Sequence, residues 1–262
     1  DIPEKILYNG TDFGVKGSRY MYHFDSRVRY SETDEKGQLS LTGILNYFQD
    51  CSTFQSEDLG MGVRYLSEHN RAWWLTSWQI IIDRYPILGE RIVVSTWPYD
   101  FKGIYGYRNF TLQNLKGEYL VRAASVWFLF DTRQQRPIRV QESDIRGYGT
   151  TRPRLEMDYA PRKIEVPKEY EEKKPVLVER HHLDTNHHVN NAQYVEIAKE
   201  CLPDDIDIKE LRAEYKKAAV LGNYMTPRIS RTQEGYITAL CDAKGSPHAV
   251  IWLRESDNGG ER

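Results

Sequence analysis

Asp184, Asn186 and His188 stand at alternate positions in the stretch Asp184-Thr-Asn-His-His-Val-Asn-Asn-Ala-Gln-Tyr-Val-Glu196. A carboxylate, a carboxamide and an imidazole so close together form an acid/base set. Imidazole titrates near neutrality, so His188 can take or give a proton. Asn186 can accept or donate through its amide. A helix-compatible segment follows at once, with Asn190 or Asn191 as its cap. The set is thus delivered to a helix N-terminus, whose unpaired N–H groups and dipole can polarise a reacting carbonyl. The bland readings stay open: Asp184 as a turn residue, His188 as a structural histidine, and Asn186 as a left-handed loop residue.

A weaker copy of this stretch lies earlier. Val28-Arg-Tyr-Ser-Glu-Thr-Asp34 aligns with Val178-Glu-Arg-His-His-Leu-Asp184 at an offset of 150, which also brings Cys51 onto Cys201. A second match follows each helix, Ile82 to Gly89 against Glu214 to Gly222, at an offset of 133. The first copy keeps Asp34 but has Gly37 and Gln38 where His187 and His188 stand, so its acid/base set is gone.

The elements that position these residues follow from periodicity. Leu41, Ile44, Leu45, Phe48, Cys51 and Phe54 recur at helical spacing, predicting a helix from Thr42 to Leu59. Val195, Ala198, Lys199 and Leu202 predict a shorter one, ended by Pro203. Aromatic and β-branched runs predict strands at Trp73–Asp83, Arg91–Tyr99, Gly106–Asn114 and Glu118–Asp131. The second half repeats them at Glu210–Ala219, Asn223–Thr232, Tyr236–Ala243 and His248–Glu255. Each half therefore reads as strand, loop, helix and antiparallel meander, an α+β layer in which a sheet covers a helix. The boundaries are residues 1–140 for the N-terminal domain, 141–175 for a Pro-rich, charge-dense linker, and 176–262 for the C-terminal domain.

Composition narrows the class. With 40% hydrophobic and 28% charged residues the chain is globular, and 18 Tyr and 6 Trp favour strands. A net charge of −2 argues against a nucleic-acid binder. Three cysteines make neither a disulfide framework nor a CxxC site, so a reducing cytoplasm is the expected compartment. No membrane span, signal peptide or transit segment is expected. The histidines around Asp184 lack the spacing of a hydrolytic metal site, and no metal or other cofactor is expected.

Taken together, the Asp184-x-Asn186-x-His188-Val-Asn-Asn191 stretch with Tyr194, the run Trp74-Leu-Thr-Ser-Trp-Gln-Ile-Ile-Ile-Asp-Arg-Tyr-Pro-Ile-Leu-Gly89, and Arg122-Ala-Ala-Ser-Val-Trp-Phe128 resemble the acyl-acyl carrier protein thioesterases. The likeness spans roughly residues 20 to 255. It implies two fused hotdog domains, each an antiparallel sheet wrapped around a central helix, and hydrolysis of fatty acyl-acyl carrier protein thioesters. On this resemblance Asp184 acts as general base or nucleophile, His188 carries protons, and Asn186 orients water or the thioester oxygen. Backbone N–H groups at Asn190 and Asn191 hold the oxyanion, and the N-terminal half takes the acyl chain. Acyl-CoA hydrolysis and non-catalytic acyl binding remain alternatives. The expected partner is acyl carrier protein, an acidic protein that would meet a basic face. Residues 131–163 carry eight Lys/Arg against five acids, although a solvated linker explains that surplus equally well. Two fused domains fit a monomer or a homodimer.

There is one departure. Plant members of the family continue the strand after Glu-Tyr-Arg-Arg with Glu-Cys, whereas this chain reads Glu214-Tyr-Lys-Lys-Ala218-Ala219. Glu214 is a further candidate site residue if period-two alternation puts it on the face of Ala218.

Overall fold

A computed structural model of the chain describes residues 21–149, 152–203 and 206–256. The first 20 residues, where no targeting segment is expected, lie outside the described residues.

Each half has the same strand plan. The N-terminal half comprises β1 (Tyr22–Arg27), α1 (Leu41–Asp58), α2 (Val63–Glu68), β2 (Arg71–Ile82), β3 (Arg91–Lys102), β4 (Tyr105–Asn114) and β5 (Tyr119–Asp131). Short pieces follow: β6 (Arg136–Pro137), α3 (Glu142–Ile145), β7 (Glu171–Glu172) and β8 (Val176–Leu177). The C-terminal half adds α4 (Asn191–Lys199), β9 (Ile208–Tyr215), β10 (Tyr224–Arg231), β11 (Gly235–Cys241) and β12 (Pro247–Glu255). Strands and helices fall within a few residues of their predicted positions. The short helix α2 was not foreseen: six residues are too few to show a period.

The two halves share one antiparallel sheet in the order β1-β3-β4-β5-β2-β9-β12-β11-β10-β7. The order reads β2-β5-β4-β3-β1 outward on one side and β9-β12-β11-β10 on the other, as a twofold repeat requires. The seam is the β2–β9 pair, with Trp78 opposite Ala213 and Ile80 opposite Leu211. The two main helices, α1 and α4, lie on one face of the sheet, and buried side chains from both halves form a continuous core. On that face Phe48 of α1 meets Phe110 at 5.2 Å between ring centroids, and Trp78 meets Phe110 at 4.8 Å. Truncating one such buried ring to Ala would cost about 3–5 kcal/mol. α1 starts where Ser40 accepts the Gly43 N–H at 3.0 Å and continues through nine buried residues at helical spacing.

The connecting segment is strapped to the opposite face. Trp97 Nε1 donates to Pro153 O at 3.0 Å, Gln79 Nε2 to Asp158 O at 2.8 Å, and Arg212 to Pro161 O. These contacts carry the chain from β3 across β2 to β9, where Ile164 joins a small apolar cluster with Ile237, Val250 and Trp252. Part of the segment's positive charge holds it there. The Arg152 guanidinium lies 4.4 Å from the Trp97 ring centroid, and that of Arg154 lies 5.7 Å from the Tyr99 ring centroid, both rings belonging to β3.

Candidate active site

The loop carrying Asp184 is shaped by the carboxylate itself. Asp184 Oδ1 accepts the N–H of Asn186 at 2.8 Å and of His188 at 3.3 Å. The Asp184 N–H donates to His188 O at 2.8 Å, closing a tight turn. His187 takes the left-handed conformation at its tip, with φ of 60°. The left-handed residue is therefore His187 and not Asn186.

The first copy makes the same bonds. Asp34 Oδ1 accepts from Lys36 N at 3.0 Å and Gln38 N at 2.9 Å, and Gly37 supplies the left-handed residue with φ of 70°. His182 Nδ1 accepts the Glu179 N–H at 2.9 Å, as Glu32 accepts that of Arg29 at 3.0 Å. Val189 and Leu39 donate to Ala219 O and Pro86 O, which stand 133 residues apart. Asp184 thus does the turn-forming work of its copy. What sets the second loop apart is chemistry: Asn186 and His188 in place of Lys36 and Gln38.

His188, half-buried, packs edge-on against Trp74 at 5.8 Å between ring centroids. Trp74 comes from β2, so the imidazole sits at the junction of the two halves. Asn190 caps α4, its Oδ1 accepting the Ala192 N–H at 2.9 Å. Its carbonyl accepts the Gln193 N–H at 2.9 Å. Of the first helical N–H groups, that of Asn191 keeps no partner among the described residues and is the donor left for an oxyanion. Tyr194 OH accepts the Ala219 N–H and Tyr215 OH donates to Asn191 O, both at 2.9 Å, fixing the helix start against the strand end. Burial pushes the Tyr194 hydroxyl up to about 12, so it stays protonated.

Asp184, Asn186, His188, Asn190 and Asn191 all line one cavity of about 1010 Å³. Its other walls come from the N-terminal half: α1 at Leu45 and Gln49, and the sheet at Trp74, Trp78, Trp127 and Phe128. Such a volume suits a long, largely apolar ligand.

Glu214 does not join them. Lys216 and Lys217 both donate N–H to His248 O, at 2.8 and 3.1 Å, the mark of a bulge. The bulge resets the alternation, so Ala218 reaches the cavity while Glu214 faces the strap, where its Oε2 accepts the Ile164 N–H at 3.1 Å. Ala218 leaves that part of the wall without a carboxylate. Cys51, Cys201 and Cys241 lie off the cavity, and burial raises all three thiols, Cys51 to about 12. The four histidines around Asp184 are also divided. His182 is buried in the turn that precedes the loop, His181 and His187 are exposed, and His188 lines the cavity. Among the described residues no group of three or more His, Cys, Asp or Glu is placed to hold a metal.

Nothing in the sequence marks Trp74 or Tyr215 as a site residue. Trp74 lay inside the aromatic run, but nothing in the sequence set it against His188. Tyr215 sits beside Glu214 and takes the inner face for which Glu214 was a conditional candidate.

Comparisons with known proteins bear on the family and the fold. The family models for the acyl-ACP thioesterase N-terminal and C-terminal domains match residues 17–148 and 165–247. A chloroplastic acyl-[acyl-carrier-protein] hydrolase of Cuphea viscosissima is 24% identical over 205 residues, covering 72% of this chain and 50% of that protein. The chain spans about half the length of the curated relatives it matches first. Among solved structures, a 12:0-ACP thioesterase from Umbellularia californica has a TM-score of 0.80 at 20% identity, covering 92% of this chain and 98% of that one. An acyl-ACP thioesterase from Bacteroides thetaiotaomicron has a TM-score of 0.79 at 19% identity, covering 89% and 97%. These two likenesses speak for the fold.

Proposed function

Because the chain belongs to the acyl-ACP thioesterase family, we propose that it hydrolyses fatty acyl-acyl carrier protein thioesters, releasing the free fatty acid and the carrier thiol. The observation that carries this reading is the shared cavity: the polar loop and helix start of one half open on the same space as the aromatic wall of the other. The acyl chain lies against Trp78 and Trp127, and the thioester oxygen points to the Asn191 N–H. A backbone donor aimed at a developing oxyanion is worth about 3–4 kcal/mol. Water held by Asn186 loses its proton to Asp184 or His188 as its oxygen attacks the carbonyl carbon. The tetrahedral intermediate then expels the thiolate, which takes that proton back from the same group. No cysteine takes part.

The exposed cations within residues 131–163, Arg133 and Arg139 among them, support docking of an acidic carrier. A cytoplasmic setting belongs to the same proposal. The test is thiol release from acyl carrier protein and CoA thioesters of one chain length, with product mass recorded. The carrier thioester is expected to give the higher kcat/KM. Binding of acyl carrier protein with no thiol release from either substrate would refute the reading.

A further inference from the structure

Arg108 of β4 lies on the helix-facing side of the sheet, is 9% exposed, and lines the cavity. Among the described residues it has no carboxylate partner. Its Nη1 donates to Gln55 Oε1 and, at 3.1 Å, to Thr96 Oγ1, while the Tyr148 ring centroid lies 5.4 Å from the guanidinium carbon. Nε and Nη2 make no hydrogen bond among the described residues. Yet among the described residues no buried side-chain nitrogen or oxygen lacks a partner, so those two nitrogens are open to the cavity. Burial lowers the pKa of the guanidinium with only Tyr148 and Cys51 opposing, but an arginine remains charged.

The neighbouring polar groups do not compete for it. Ser52, Thr53 and Ser56 of α1 also line the cavity, but each hydroxyl donates to a helix carbonyl at 2.9 Å. They present a wall that is already satisfied. The open donors at this end belong to Arg108. The site loop is elsewhere: Trp74, beside His188, is opposite Phe128, which is opposite Tyr105. Arg108 is thus two strands over and three residues along, roughly 14 Å away across the sheet.

We propose that Arg108 is a specificity-determining residue that binds an anionic, carboxylate-bearing far end of the acyl chain, so that this protein favours ω-carboxyacyl thioesters over plain fatty acyl ones. A carboxylate meeting Nε and Nη2 side by side would satisfy both donors and neutralise an otherwise uncompensated buried charge. The inference rests on the reading that the cavity takes the acyl chain of a thioester.

The test pairs binding with turnover. Quenching of tryptophan fluorescence measures binding of the monomethyl ester of a linear dicarboxylic acid against the methyl ester of the fatty acid of equal length. The half-ester should bind at least about tenfold more tightly, a preference that one charge-assisted bond supplies. Gln55→Glu gives Arg108 an internal carboxylate at nearly unchanged volume, and Gln55 itself does not line the cavity. That variant should lose the preference and still bind the plain ester as the unaltered protein does. Arg108→Met should lose it as well. Equal binding of the two esters by the unaltered protein, or an equal loss for both esters in Gln55→Glu, overturns the inference. In the turnover arm, the ω-carboxyacyl carrier thioester should show the higher kcat/KM. Failure to cleave either thioester with the binding preference intact would refute hydrolysis and leave the role of Arg108 standing. Cleavage of both without preference, unchanged in Gln55→Glu, would do the reverse.

Discussion

The duplicated loop supplies its own control for the role of Asp184. Removing the carboxylate in Asp184→Ala deletes two bonds that shape the turn, to Asn186 N and His188 N. Asp34→Ala deletes the equivalent pair, to Lys36 N and Gln38 N. Both carboxylates are partly exposed and one of the four bonds is 3.3 Å long. Each variant should therefore lose about 2 kcal/mol, less than two full charge-assisted bonds would give. For a chain of this size that lowers Tm by roughly 4–8 °C. The two variants should part company in turnover. Asp34→Ala should keep it, whereas Asp184→Ala should lose about 100- to 10,000-fold in kcat, the usual contribution of a general base. Asp184→Asn completes the set: its amide oxygen still accepts the two N–H groups, so Tm should be nearly unchanged while kcat falls as in Asp184→Ala. The assays are a thermal melt and thiol release from an acyl carrier protein thioester. Near-normal turnover in Asp184→Asn would show that the carboxylate only shapes the loop. Equal losses of turnover in Asp34→Ala and Asp184→Ala would assign the effect to stability and not to chemistry.

Three further outcomes are expected. Burial and the neighbouring His181 lower the pKa of His182 from 6.5, so its neutral form is favoured in the folded state; its contribution to stability is full above the unfolded value and is lost as pH falls below it. Tm should therefore drop on acidification through that range, and His182→Gln, which keeps an acceptor for the Glu179 N–H without a titrating ring, should flatten the drop; an unchanged pH profile would contradict this. Tyr194→Phe strands the Ala219 N–H, costing about 1–3 kcal/mol, and should lower kcat by loosening the start of α4, an effect read by comparing melts with turnover. Replacing Cys51 by Ala and Cys201 and Cys241 by Ser should leave turnover per folded molecule unchanged, and a large loss without unfolding would point to a thiol nucleophile despite the raised pKa values.

What the sequence determined by itself was local. Asp184 reaches only two and four residues ahead for its bonds, and Asn190 only two, so spacing alone placed the turn and the cap. The repeat was legible for the same reason: its offsets of 150 and 133 reappear as paired hydrogen bonds in the two halves. The helical and strand periods fixed the long elements, α1, α4 and the main strands of each half. Tertiary structure decided what those elements face. A bulge at Lys216 and Lys217 turned Glu214 toward the strap and Ala218 toward the cavity, because one extra residue inverts a strand's period-two alternation. Trp74 meets His188, 114 positions away, only because the two halves share one sheet. Arg108 read as one arginine among many until the packing of α1 and Tyr148 removed it from water. Burial and cross-sheet contact depend on where distant segments land, and no window along the chain holds that information.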